Sequence, residues 1–581
     1  MATGICARTG SPPSPESSVQ RVPIPITPFE EISDIDDEIA WHYGQIALLK
    51  AKRNAIAPIR RLPNELMVRI LTIYAVETDA LFDLKWTKVM YVCHHWHALA
   101  LAAQQLWAFI HLQQHGPGTL HRLFVQLERS GFAPLNLKLN FRDSSYYVAI
   151  ILDHSERIRE LEVGGDFEHV YELIAKLPDG NFPILCSLSL DASYSPQDPQ
   201  EPWGLPEAFF DGRLPNLREL TLESIPVPWT ALSCLTTLAL TQCNDSSTSL
   251  PPTFHGLLDM LASCPQLRTL KLDLMIPPPM PEQLYVTADL PALSWLYLLR
   301  DPITSCETFL KHIRIPPATS IQILPLGLLT GADARAILVP IRRHLRSPGA
   351  RRPLLFHITR TIASYCTMSV FGDTAPHDFL DHASVRCPLS LGCHPRTEGA
   401  LRQILTKVLK AIPTESITHL DAYAGYNLGA VTWKIMIKLL PALETIYLLG
   451  NTGAVNCVRA LGEIQAQDNQ VQRRTFPHVR RLHIRILQPE AGSDTIVLLL
   501  TALEEYLQLC SADGNLLQAL EFEDRYHVLA GRQERLESFF PLLAGGIRCN
   551  GVVYDPIQRK EALAEWEAER LAFAAEYGIE I

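Results

Sequence analysis

The sequence predicts an α/β chain in which an N-terminal helix and a small all-α block precede an irregular solenoid of short strands with a C-terminal capping helix. Three observations predict it. An apolar seam at steps of three and four residues runs from Ile32 to Ile56. A dense cluster of aliphatic and aromatic residues fills 58–112. From about residue 130 onward one pattern recurs: Pro, any residue, apolar, two others, apolar, any residue, apolar.

Taken in order, residues 1–26 are Ser- and Pro-rich without periodicity and are expected to form a disordered tail. Residues 27–57 then read as a heptad-patterned helix. Thr27 is placed as N-cap, Pro28 at the first helical position and Glu30 at the position that completes a capping box. The seam is Ile32, Ile35, Ile39, His42, Ile46, Leu49, Arg53 and Ile56. The favoured expectation is an amphipathic helix lying on its own protein; self-association through the seam is the alternative.

Pro58 and Arg60-Arg61 end that helix, and a compact block spans 58–112. Asn64 is placed as the cap of a helix with Leu66, Ile70 and Ile73 on its apolar face and Met67, Leu71 and Tyr74 beside them. A second helix is expected from about Thr87, with Val89, Val92, Trp96 and Leu99 on one face; Leu106, Trp107 and Ile110 close the block. So short a block cannot hide this much apolar surface among its own helices, so part of it must face a partner or the next domain.

Residues 113–555 carry the repeat. Copies begin at Pro183, Pro215, Pro265, Pro291, Pro441 and Pro477, and weaker ones without the Pro lie at Ile158, Leu235, Ile417 and Leu517. The last two apolar positions of each copy alternate, so they point to one side of a short strand. The Pro, lacking an N–H, fits the loop before it. Many such strands, each with a helical or irregular return, read as a leucine-rich-repeat solenoid. Cys243 and Asn451 stand where such repeats place a turn residue. The anchors lie 26 (265 to 291) to 36 (441 to 477) residues apart, and 300–415 holds no complete copy, so an insertion or degenerate repeats are expected there. An ordinary α/β domain with Leu-rich strands is the alternative. Residues 556–581 are expected to form a helix, with Leu563, Trp566, Leu571, Phe573 and Ala574 as its apolar side, that caps the open end.

At 581 residues and 47% hydrophobic content the chain is globular and exceeds one typical domain. A net charge of −11 argues against a general nucleic-acid binder. The thirteen cysteines show no CxxC pair, as in reduced thiols of a cytoplasmic or nuclear protein. The stretch MATGICARTGSPPSPESS has no apolar region like that of a signal peptide, and no apolar run approaches a membrane span in length.

Catalytic and metal chemistry finds little support. Of Cys93, His94, His95 and His97, only His94 and His97 can share a helical face, and Cys387 with Cys393-His394 lacks a second pair for a tetrahedral site. Phosphate-loop, nucleophile-elbow and HExxH patterns are missing, and acidic pairs such as Asp36-Asp37 fall on solvated helix faces. No catalytic residue, metal or cofactor is expected. The basic run Arg342, Arg343, His344, Arg346, Arg351 and Arg352 reads as a solvated loop in preference to an anion site.

Leu62-Pro63-x-Glu65-Leu66, Ile70-Leu71, Val92-Cys93-x-x-Trp96 and Leu106-Trp107 together resemble the F-box, across roughly 60–112. With the heptad helix before it and the Leu-rich repeats after it, the whole chain resembles the F-box/leucine-rich-repeat proteins of mushroom-forming fungi. The resemblance implies a substrate receptor that docks on a Skp-type adaptor of a cullin–RING ubiquitin ligase and holds a target protein with its repeats. By the same resemblance Leu62, Pro63, Leu66, Ile70, Leu71, Val89, Val92, Cys93, Trp96, Leu106 and Trp107 build or support the adaptor-facing surface. Two departures stand out: a surplus around Tyr74–Lys85, expected to enlarge the loop between the first two helices, and His94 where the family often has Arg. The rival expectation is a repeat scaffold or ligand sensor with no ubiquitin role; a third is an enzyme with its site in 300–415.

Overall fold

The computed structural model describes residues 28–553 other than 113–118, 142–145, 195–204, 206–209, 211–213, 228, 230–231, 243–252, 281–285, 329, 361–364, 373–386, 425–427, 451, 472–478, 487–493, 525–527 and 530–531. The expected tail, Thr27, Cys243, Asn451, Pro477 and the C-terminal capping helix lie outside the described residues. The chain divides into two compact units, Met1–Phe109 with Gln126–Gly131, and Ile110–Val125 with Phe132–Ile581. The first unit therefore ends three residues earlier than the 58–112 block and regains a short later segment.

The second unit is mixed α/β, built on one large, mostly parallel, open sheet. Its strands are β1 (Phe109–Leu112), β2 (Leu135–Phe141), β3 (Ile158–Asp166), β4 (Ser187–Tyr194), β5 (Glu219–Glu223), β6 (Thr237–Thr241), β7 (Thr269–Asp273), β8 (Ala288–Asp289), β9 (Trp295–Pro302) and β10 (Ile313–Arg314). They continue with β11 (Ser320–Leu326), β12 (Leu355–Arg360), β13 (Cys366–Phe371), β14 (Leu389–Cys393), β15 (His419–Ala424), β16 (Thr445–Gly450), β17 (Arg481–Ile486), β18 (Ala519–Asp524), β19 (Ile547–Cys549) and β20 (Val552–Val553). Strands β2 to β7 pair in sequence order, β9 and β11 follow, and β15 to β19 again pair in order, all parallel. Among the described residues, β8 and β10 stand apart as a small parallel pair.

The recurring apolar positions explain this alignment. Leu161, Leu188, Leu220, Leu238, Leu270 and Leu296 are register partners strand to strand, and so are Val163, Leu190, Leu222, Leu240, Leu272 and Leu298. All twelve are buried. Slipping one strand by a single residue would move both of its aliphatic side chains to the opposite face, so the two rows fix the register. Each buried side chain contributes about 1.5–3 kcal/mol. Leu420, Ile446, Leu482 and Leu520 repeat the arrangement in the second half.

The Pro has a more specific role than avoiding the ladder. The N–H two residues after it donates to the carbonyl of the residue before it: Leu185 to Phe182, Leu217 to Leu214, Leu267 to Cys264, Leu293 to Leu290 and Leu443 to Leu440, at 3.1–3.3 Å. Each is a β-turn with Pro in its second position, where the ring presets φ. Each such turn delivers its closing Leu into the core.

Residues 300–415 are neither a simple insertion nor a run of degraded repeats. Strand β11 continues the parallel order beside β9. Then β14, β13 and β12 form an antiparallel meander between β11 and β15, with β14 parallel to β11 and β12 parallel to β15. The sheet is thus continuous across the region without the Pro–Leu pattern. The basic run falls mainly on the C-terminal turn of helix Gly331–Leu345, where cations complement the helix dipole. Arg342, Arg343, Arg346 and Arg352 are solvated, and His344 Nε2 lies 3.0 Å from the Thr319 carbonyl.

Among the described residues one helix, Thr495–Ala512, is long and apolar enough to cross a membrane, with a mean hydropathy of 1.3. Its Ile496, Leu499, Leu500, Leu503 and Leu507 are buried in the unit.

The Leu rows predict that Leu270→Ala lowers the unfolding free energy by about 2–5 kcal/mol in urea titration, whereas the outward Lys271→Ala stays within about 0.5 kcal/mol. A second prediction concerns Asp301 on β9. Its carboxyl is buried; Oδ1 accepts the Ile276 N–H at 2.8 Å, while Oδ2 has no hydrogen-bond partner. Burial, reinforced by nearby Asp273, pushes its pKa up to about 7. The folded pKa lies above the unfolded one. The stability held by the neutral carboxyl is therefore complete below about pH 4 and lost as pH rises through 7, on the order of 2–4 kcal/mol. Asp301→Asn should flatten the stability profile between pH 4 and 8; an unchanged profile would show that this carboxyl does not govern it.

Candidate functional site

In the first unit, α1 (Pro28–Ala55) is followed by a 3₁₀ turn at Pro58–Arg61 and then α2 (Asn64–Glu77). Asn64 is the first residue of α2, not its cap: Pro63 holds the cap position, which removes an N–H from the helix entry without supplying a side-chain acceptor. The expected single helix from Thr87 is two elements, a 3₁₀ helix Lys85–Tyr91 and α3 (His94–Ala102), parted at Val92-Cys93 where Cys93 is fully extended. A short helix, α4 (Gln104–Trp107), completes the block. The break turns Val92 away from Val89, so the expected common face of Val89, Val92, Trp96 and Leu99 does not form.

Trp107 is central to the packing. Its ring stands edge-on to Trp86, with centroids 5.0 Å apart and planes at 78°. Its indole N–H donates to the Ala100 carbonyl at 2.9 Å, tying α4 to α3. The Arg129 guanidinium sits 4.5 Å over the ring, a cation–π contact that joins residues 126–131 to this unit. Gln126 adds a side-chain hydrogen bond to the Phe109 carbonyl at 3.0 Å. Leu71, Ala75, Val89, Ala103 and Leu106 surround the two indoles. The surplus near Tyr74–Lys85 is not simply a larger loop. The chain turns at Asp79 and Leu84, both with positive φ, and drops Ala80 and Leu81 into the same core.

The family-inferred residues thus fall into three places. Leu71, Val89, Leu106 and Trp107 are buried and hold the block together, so they do not themselves present a surface. Pro63, Leu66 and Ile70 are exposed, with Leu62 half-buried beside them. Val92, Cys93 and Trp96 line a cleft of about 570 Å³ against Ala47, Ala51 and Asn54 of α1. Burial and the Arg60 charge lower the pKa of His95, which lines the same cleft.

Helix α2 is apolar on two sides. Met67, Leu71 and Ala75 face the core. Leu66, Ile70, Ile73 and Tyr74 are 47, 42, 51 and 41% exposed. Spacings of four, three and one put these four on one stripe, and a soluble helix normally keeps such a stripe covered. The sequence places Ile73 on the expected apolar face and Tyr74 beside it but gives neither a role in a partner surface; their exposure is what marks them.

The second unit carries a polar row across neighbouring strands. His357, Asp421, Tyr447, His483, Glu521 and Arg548 are register partners across β12 and β15 to β19. His357 Nδ1 is 3.1 Å from Asp421 Oδ2, His483 pairs with Glu521, and the Tyr447 and His483 rings lie 5.2 Å apart. Two residues further along the same strands, Arg485 Nε meets Glu523 at 2.5 Å. The pairs His357–Asp421, buried, and His483–Glu521, half-buried, grade into exposed Arg548. Thr359 also hydrogen-bonds His357, so carboxylate, imidazole and hydroxyl form a line. His357 lines neither the cleft beside Val92 and Trp96 in the first unit nor that beside Arg343 and His344 in the second. The line acts as a polar seam between β12 and β15.

Among the described residues no group of three or more His, Cys, Asp or Glu is placed to hold a metal. The buried thiols are not poised to react: burial pushes Cys387 up to about 12, and Cys366 together with burial raises Cys393. Scanned against protein-family models and curated proteins, the chain matches none.

The division between core and surface predicts opposite responses. Trp107→Ala should lower unfolding free energy by about 3–5 kcal/mol, while Ile70→Ala should change it by at most about 0.5 kcal/mol. Comparable losses for both in chemical denaturation would contradict the assignment.

Proposed function

We propose that the chain is a substrate-receptor subunit of an SCF-type cullin–RING ubiquitin ligase. The first unit is an F-box that docks on a Skp-type adaptor, and the second is an irregular leucine-rich-repeat solenoid that holds a target protein. The observation that carries this reading is the uncovered stripe Leu66, Ile70, Ile73 and Tyr74 on a helix whose other side is already core. Aliphatic and aromatic anchors on an exposed helix gain affinity by burial in a partner's groove. The Leu-Pro entry and the order of the Val-Cys, Trp and Leu-Trp landmarks favour an adaptor over an arbitrary partner. In-register Leu rows behind Pro turns support the repeat reading.

The mechanism is tethering. A target held by the second unit is kept at high effective concentration near the ligase, and this chain itself makes and breaks no bond. The partly exposed end of the polar row, His483, Glu521 and Arg548, is the face proposed for the target, in the cytoplasm or nucleus. The rival reading, a repeat scaffold or ligand sensor, keeps the second unit's role and removes the adaptor.

Affinity capture with the full chain should retain a Skp-type adaptor. Ile70→Asp, and separately Leu62→Asp with Pro63→Ala, should reduce retention at least ten-fold with an unchanged melting temperature. Equal retention by these variants, or none by the native chain, would remove the ligase role.

A further inference from the structure

Helix α1 carries a second, separate apolar surface. From Ile32 to Arg53 every residue of it is exposed. Ile32, Ile35, Ile39, Ile46, Leu49 and Ile56 are each 46–79% exposed. The favoured expectation, that this helix lies on its own protein, is not met among the described residues. Its cleft with α3 uses Ala47, Ala51 and Asn54 instead. At 3.6 residues per turn these lie on the far side from Ile46, Leu49, Arg53 and Ile56.

The charges along α1 identify what fits the seam. Residues 28–41 hold six carboxylates and no Lys or Arg; residues 42–55 hold Lys50, Lys52 and Arg53 and no carboxylate. We propose that α1 pairs antiparallel with α1 of a second copy of this chain. Facing Ile39 with the partner's Leu49 also faces Ile32 with the partner's Ile56 and Ile46 with the partner's His42. In that register Asp36 meets the partner's Lys50 and Glu38 meets the partner's Lys52. Two-fold symmetry repeats both pairs, giving four opposite-charge contacts beside the seam. Shifting the antiparallel register by one heptad leaves Asp36, Glu38 and Lys50 without an opposite charge and in one direction sets Lys52 against Glu31, so at most two such contacts remain of the four. A parallel pair sets acidic half against acidic half and basic end against basic end. Arg53 and His42 interrupt the seam, as polar core residues do when they fix register in place of maximal stability. The helix dipole alone favours acids first and bases last, but it does not account for an uncovered row of Ile and Leu.

A dimer carries two copies of every other surface of the chain, so a partner with two binding segments gains avidity. The inference does not rest on the adaptor reading, since it uses neither α2 nor the second unit.

Sedimentation equilibrium of the full chain at micromolar concentration should give twice the 65.1 kDa monomer mass. Ile39→Asp with Leu49→Asp should give the monomer mass with unchanged circular dichroism and melting temperature. Ile70→Asp should remain dimeric, which separates this seam from the α2 stripe. Lys50→Glu with Lys52→Glu should raise the dissociation constant roughly ten-fold, and adding Asp36→Lys with Glu38→Lys should restore it. Under mild oxidation Tyr43→Cys should link to itself across the dimer. A monomer at all concentrations, a dimer indifferent to the Ile39 and Leu49 changes, or self-linking by Ile46→Cys but not Tyr43→Cys would overturn the proposal.

Discussion

The second unit depends on a turn repeated before its strands. A Pro in the second position of a β-turn fixes the direction in which the chain enters the sheet, and the turn closes on a buried Leu. Three and five residues after that Leu come the two strand positions whose side chains must reach the core. Spacing from a rigid turn therefore sets the phase of each strand, and neighbouring strands of equal phase bury their rows against each other. Neither effect suffices alone. A lone short strand has no partner for its ladder, and a turn without buried rows leaves the register open to slippage.

The same logic makes the meander at 355–393 intelligible. There the strands are covered on both faces: Phe356, His357 and Ile358 in β12, and Met368, Ser369 and Val370 in β13, are all buried. A strand covered on both sides needs no alternation and no Pro turn to select a face. It needs partners for its polar groups, and His357–Asp421 and Ser369–Ser390 supply them within the sheet.

How far the sequence can be read follows from these differences. Leu188, Leu220, Leu270, Leu296, Ile446 and Leu482 are legible because periodicity two and a fixed Pro offset leave a pattern in the letters. The meander leaves none, because two-sided burial erases alternation. In the first unit the landmarks show where a block lies but not which way each side chain points. Leu66 and Leu71 are five residues apart on one helix, yet one is exposed and the other buried. A helical pattern tells which residues share a stripe; what covers the stripe is a tertiary fact. The break at Val92-Cys93 is illegible for a related reason: no Pro or Gly marks it, and the 3₁₀ turn before it is held by packing of Trp86 and Val89.

The two uncovered stripes of the first unit differ in what surrounds them, and that difference argues for different occupants. The α1 seam is flanked by acids along one half and bases along the other, so its complement is its own reverse. The α2 stripe has no such segregation: Glu65, Arg69 and Glu77 alternate in sign along the helix. An antiparallel copy of α2 would gain no charge pairing from that order, and its stripe is four residues long where the α1 seam runs from Ile32 to Ile56. A short stripe is sufficient for insertion into a preformed groove, where the partner supplies most of the surrounding surface, but insufficient for two equal helices that must cover each other. Length and charge order together thus favour the proposed self-pairing for α1 and the proposed adaptor for α2.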